Sequence, residues 1–148
     1  MKKLMSQLRK AGFEIYKSED YWMFKVDGRT CVLPDTEKDD DEYVAIYMPN
    51  VVDVTEENYA DMMSIINTMN RELRYIKAII VEDGVWLSYE RFMMDRDTVT
   101  EDLAIHMVNG LRSFCFYIDN KLEESASPES ASPDDEGVDD DFSPGDDN

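Results

Sequence analysis

One histidine, His106, and two cysteines, Cys31 and Cys115, are all that 148 residues supply of these residue types. Catalysis through a lone histidine needs a nucleophile or second base held beside it, and no local motif offers one. GxSxG, P-loop and HExxH patterns are missing as well, so no catalytic residue, metal ligand or cofactor is assigned. The two cysteines stand far apart in apolar runs and form no CxxC pair. They read as buried free thiols in a reducing compartment, although one disulfide between them stays geometrically open. No stretch approaches the roughly 18–20 apolar residues that span a bilayer, which argues against a membrane. After Met1-Lys2-Lys3, the residues Ser6, Gln7, Arg9 and Lys10 interrupt any signal-like apolar core, so a cytoplasmic location is expected.

Basic residues are scarce too, 15 against 34 acidic, for a net charge of −19. From residue 123 onward there are 11 acidic residues and no Lys or Arg, and residues 1–122 carry 23 acidic and 15 basic side chains. Nucleic-acid affinity comes largely from Lys and Arg displacing counterions, so this balance excludes direct DNA or RNA binding as an expectation. The tail, 123–148, is rich in Ser, Pro, Asp, Glu and Gly. Such a composition buries too little apolar surface to offset ordering entropy, and a disordered acidic tail is predicted.

What the first 122 residues do contain is a core: eight Tyr, five of the six Phe and two Trp, in a chain that is 43% hydrophobic. Residues 2–11 read as a short amphipathic helix on Leu4, Met5 and Leu8, ended by Gly12. An extended segment begins over 13–16. Tyr21-Trp22-Met23-Phe24-Lys25-Val26 reads as a strand, Asp27-Gly28 as a tight turn and 29–33 as the returning strand. A charged loop leads to Tyr43-Val44-Ala45-Ile46-Tyr47-Met48, a strand expected to end at Pro49. Asp53, Thr55, Glu56 and Glu57 open a helix. Its predicted apolar stripe is Tyr59, Met62, Met63, Ile66, Met69 and Leu73. Residues 77–82 and 85–92 read as a hairpin turning at Asp83-Gly84. Thr98 and Glu101 have capping-box spacing before a last helix striped by Leu103, Met107, Leu111, Phe114, Ile118 and Leu122. The order is α-β-β-β-α-β-β-α, an α+β fold with an antiparallel sheet packed by helices.

That succession resembles the YbjN-like family and the fold it shares with type III secretion chaperones. The residues that carry the resemblance are Phe24-Lys25-Val26-Asp27-Gly28-Arg29, the acidic loop into Tyr43-Val44-Ala45-Ile46-Tyr47-Met48-Pro49, Ile66-Asn67, Met69-Asn70 and residues 77–85. It spans 1–122, taken as one domain. The resemblance implies a chaperone-like or regulatory role in binding proteins or peptides, implies dimers by analogy with the secretion chaperones, and carries no catalytic residue with it.

Period-two alternation then points to a surface. If Trp22, Phe24 and Val26 face the core, Tyr21, Met23 and Lys25 face out. By the same logic Tyr43, Tyr47 and Trp86 face out. Aromatic and Met side chains are enriched at interfaces, so Tyr21, Met23, Tyr43, Tyr47 and Trp86 are candidates for binding a protein or peptide partner, or a second copy in a homodimer. The alternative reading is a small-molecule-sensing regulatory domain with a pocket between helices and sheet. Asp39-Asp40-Asp41-Glu42 lacks the ligand spacing and the glycine of a calcium loop and is expected to be solvated.

Overall fold

The computed structural model describes residues 1–34, 43–94 and 98–126. The acidic loop at 39–42 and the tail from 127 lie outside them. Three helices and six strands run in the order α1 (Lys2–Lys10), β1 (Tyr16–Lys17), β2 (Tyr21–Val26), β3 (Arg29–Pro34), β4 (Tyr43–Asp53), α2 (Tyr59–Glu72), β5 (Ile76–Val81), β6 (Gly84–Phe92) and α3 (Glu101–Ala126). The strands form one antiparallel sheet in the order β1-β2-β3-β4-β6-β5. The architecture is the expected α+β arrangement, with the two-residue β1 added at one edge. The last helix runs through Ala126, so residues 123–126 are helical although their composition groups them with the tail.

Local chemistry accounts for most boundaries. At the end of α1, Gly12 N–H donates to the Arg9 carbonyl and Phe13 N–H to the Leu8 carbonyl, with Gly12 at φ +100°. This is the paired-bond helix stop that a glycine tolerates best. Asp27 and Gly28 both take positive φ (51° and 78°) between the paired residues Val26 and Arg29, the geometry of a two-residue hairpin turn. The N-terminus of α3 is capped by Thr100, not Thr98: its Oγ1 accepts from Leu103 N–H at 3.1 Å. Ahead of α2, Thr55 and Asn58 bond each other's backbone N–H reciprocally, at 3.2 and 2.7 Å.

Three other expectations are corrected. Strand β4 continues through Pro49 to Asp53 because a bulge between Met48 and Val52 accommodates the residue that has no N–H to offer the ladder. The β5–β6 turn is Glu82-Asp83. Gly84 already pairs with Val81, and its missing side chain leaves room for the Asn50 carboxamide, which a Cβ there would strike. In α2 the buried stripe is Met62, Ile65, Ile66 and Met69, whereas Tyr59, Met63 and Leu73 are exposed.

The core lies between the helices and one face of the sheet. Leu4 and Leu8 from α1, with Met107, Leu111, Phe114 and Ile118 from α3, meet Phe24, Leu33, Ile46, Met48 and Leu87 from the strands. Leu103 and Leu122 pack at its margin. Each such side chain contributes about 1.5–3 kcal/mol on full burial. Helix α2 packs against β5 and α3. Both cysteines are buried and free.

Candidate interaction surface

The sheet face opposite the described helices collects the residues that alternation turns away from the core. One row crosses all six strands through the pairings Tyr16–Met23, Met23–Val32, Val32–Tyr47, Tyr47–Ser88 and Ser88–Lys77. Tyr21 flanks this row on β2, Tyr43 on β4 and Trp86 on β6. Tyr21 is exposed, and Met23, Tyr43, Tyr47 and Trp86 are half-buried among their neighbours. All five sequence candidates therefore share one face.

Two residues that the sequence reading did not single out belong with them. Ile79, exposed on β5, pairs with Trp86, and Phe92, exposed on β6, packs its ring 5.5 Å from that of Tyr43. Two hollows divide this side of the sheet. One, of about 430 Å³, is bordered by Tyr47, Ile79, Val81 and Trp86. The other, of about 380 Å³, is bordered by Tyr43, Tyr75, Arg91 and Phe92. They share Lys77, Ser88 and Glu90, so they adjoin over β6 and β5.

Polar contacts fix the rings. The Tyr43 and Tyr47 hydroxyls lie 3.5 Å apart. Burial first, then hydrogen bonds to Tyr43 and to the Glu90 carboxylate, push the Tyr47 phenol well above its ordinary pKa. Burial raises Tyr43 as well. Both phenols thus stay protonated and keep their donors at physiological pH.

The sheet edge beside this face is not equally available. Asn70 of α2 donates from Nδ2 to the Ala78 carbonyl at 2.9 Å and accepts from Ala78 N–H at 2.8 Å. Its carboxamide thereby takes the place of a neighbouring strand at the centre of β5. At the opposite edge β1 offers only two residues.

A narrower feature lies on the helix side. A slot of about 190 Å³ opens between α3 and the β2–β3 hairpin, lined by Val26, Met48, Cys115 and Phe116. Arg112 with Asp27 (2.7 Å) and Arg29 with Asp119 (3.5 Å) form ion pairs at its rim. His106 sits elsewhere, edge-on to the Tyr89 ring at 6.2 Å. Among the described residues no three His, Cys, Asp or Glu side chains converge as a metal-binding group, and no helix is long and apolar enough to cross a membrane.

No family model and no curated protein matches the chain in sequence. Solved structures match its fold. YbjN from E. coli, described as a candidate transcription regulator, superposes with a TM-score of 0.55 at 13% identity, over 84% of this chain and 90% of YbjN. An uncharacterized protein from Methanothermobacter thermautotrophicus gives 0.56 at 14%, over 83% and 96%. The Yersinia pestis type III secretion chaperone SycH, solved in complex with a stable fragment of YscM2, gives 0.52 at 12%, over 82% and 96%. The fold is that of YbjN and the secretion chaperone.

Proposed function

We propose that this chain is a non-enzymatic protein-interaction module, chaperone-like or regulatory, that holds an extended segment of another protein on the open face of its sheet. The observation that carries the reading is the gathering of Tyr21, Met23, Tyr43, Tyr47 and Trp86, with Ile79 and Phe92, on the sheet face that, among the described residues, lies opposite the packed helices. Large rings held by cross-strand neighbours offer wide contact with little entropy left to lose. The fold shared with SycH, which was solved with a protein fragment bound, adds support. Capture by strand addition is the weaker mode here, because Asn70 occupies the middle of the β5 edge.

A small-molecule sensor has less support. The slot between α3 and the sheet holds about 190 Å³, short of the ~300–1,000 Å³ usual for ligand pockets, and the two larger hollows, about 380 and 430 Å³, are open to solvent on the sheet face. Two buried free thiols fit a protein working in a reducing cytoplasm.

The test is amide chemical-shift mapping with a panel of extended peptides bearing apolar residues at alternate positions. Binding should perturb β4, β5 and β6 and be lost in Trp86→Ser, with the fold intact. Perturbation confined to α3 and the β2–β3 hairpin would overturn the reading. A second copy is one candidate occupant of the face. In that case light scattering on the full chain should give a concentration-dependent dimer that Trp86→Ser dissociates.

A further inference from the structure

Two sulfur atoms meet beneath α3, and a third belongs to a buried residue of the neighbouring strand. Met48 on β4 is buried, and its Sδ lies 3.3 Å from the Cys115 Sγ on α3. Strand register brings the third. Val32 pairs with Tyr47 in an antiparallel ladder, so Cys31 stands opposite Met48 on the inner face. Facing residues in such a ladder have Cβ atoms about 4.5–5.5 Å apart.

We propose that Cys31, Met48 and Cys115 form a binding site for a soft monovalent metal ion of the Cu(I) or Ag(I) class. Soft thiolate and thioether ligands select Cu(I) over hard cations, and two thiolates with one thioether fall short of the four-ligand set of a structural Zn site. The alternatives nearby are poorly placed to compete. The rim carboxylates Asp27 and Asp119 are engaged by Arg112 and Arg29, and the described residues present no group of three His, Cys, Asp or Glu. Access is built in, because the slot that opens beside Phe116 is lined by both Met48 and Cys115. The long, unbranched Met48 side chain supplies the adjustment needed to admit an ion between the sulfurs.

The charge balance is explicit. Each thiol that becomes a ligand releases its proton to solvent. Two thiolates, one thioether and one monovalent cation then leave a single negative charge.

The experiment is anaerobic titration of the full chain with Cu(I) in competition with bathocuproine disulfonate, repeated with Ag(I) alone. One ion should bind per chain, and X-ray absorption should report a sulfur-only shell. Binding should be lost in Cys31→Ala/Cys115→Ala, weakened in Met48→Leu and unchanged in Met63→Leu/Met94→Leu, which removes exposed thioethers instead. Absence of stoichiometric binding, or retention by the double alanine variant, would overturn the proposal. If that variant fails to fold, the wild-type absorption spectrum decides alone: a shell containing nitrogen or oxygen refutes the site.

Discussion

Replacing Asn70 with alanine should destabilise the protein out of proportion to the few atoms removed. The carboxamide makes two bonds to the backbone of Ala78, one as donor and one as acceptor, at 2.9 and 2.8 Å. A hydrogen bond of this kind contributes about 0.5–1.5 kcal/mol net, so losing both lowers the unfolding free energy by about 1–3 kcal/mol. Asn70→Asp is the informative companion. It keeps an acceptor for Ala78 N–H but sets a carboxylate oxygen against the Ala78 carbonyl, so it should rescue little. Urea unfolding reads the effect as a lower midpoint at unchanged slope. Hydrogen exchange localises it, since the Ala78 amide should lose protection before its neighbours on β6. Opening the edge should also promote strand-to-strand association, seen as mass rising with concentration. A variant whose midpoint corresponds to less than about 0.5 kcal/mol of change, or whose Ala78 amide keeps its protection, would refute the assignment of Asn70 as an edge guard.

Thr100→Ala should lower stability by about 1 kcal/mol through loss of the α3 cap, while Thr98→Ala should change thermal unfolding little, although both threonines precede the helix. Gly28→Ala should cost about 1–2 kcal/mol, because it forces a side chain into φ +78° where nothing else crowds it; an unchanged melting temperature would contradict the turn geometry. The Cys31 thiol titrates near 9 when unfolded and about 12 when folded. Between those values the unfolded state holds fewer protons, so stability should fall as pH rises from about 9 toward about 12, by up to ~1.4 kcal/mol per unit for this group. Denaturation midpoints across that range read the slope. Alkylation of Cys31 should be correspondingly slow until the chain unfolds.

Features set by neighbouring residues were legible from sequence, and those set by distant ones were not. Gly12 and Asp27-Gly28 announce a helix stop and a hairpin because each needs only a few adjacent residues with permissive φ. Asp83-Gly84 carries the same dipeptide signal, yet the turn lies one residue earlier. There Glu82 takes φ 55°, and the glycine serves the close approach of Asn50 from another strand. In α2, three- and four-residue spacing admits two adjoining stripes. Packing against β5 and α3 selects Met62, Ile65, Ile66 and Met69, leaving Tyr59 and Met63 outside. Ile79 escaped notice because Ala78-Ile79-Ile80-Val81 is a continuous apolar run that hides its own alternation. Only the pairing with Trp86 assigns Ile79 to the open face.

The distribution of charge sharpens what the open face can accept. The first 122 residues carry 23 acidic side chains, and the edges of the sheet are dense with them at Glu19, Asp20, Glu82 and Asp83. Among the described residues, the one carboxylate that lines the hollows over β4, β6 and β5 is Glu90, which is committed to the Tyr47 hydroxyl, and Lys77 lies diagonally across the ladder from it. Under the proposed function, apolar side chains of a partner would meet few unpaired charges among the described residues of this face. The hydrogen-bonded tyrosines hold their rings in place. Under the proposed function that contact area is preorganised, and affinity should come from shape and apolar burial over β4, β5 and β6, with salt altering the rate of encounter more than the strength of the complex.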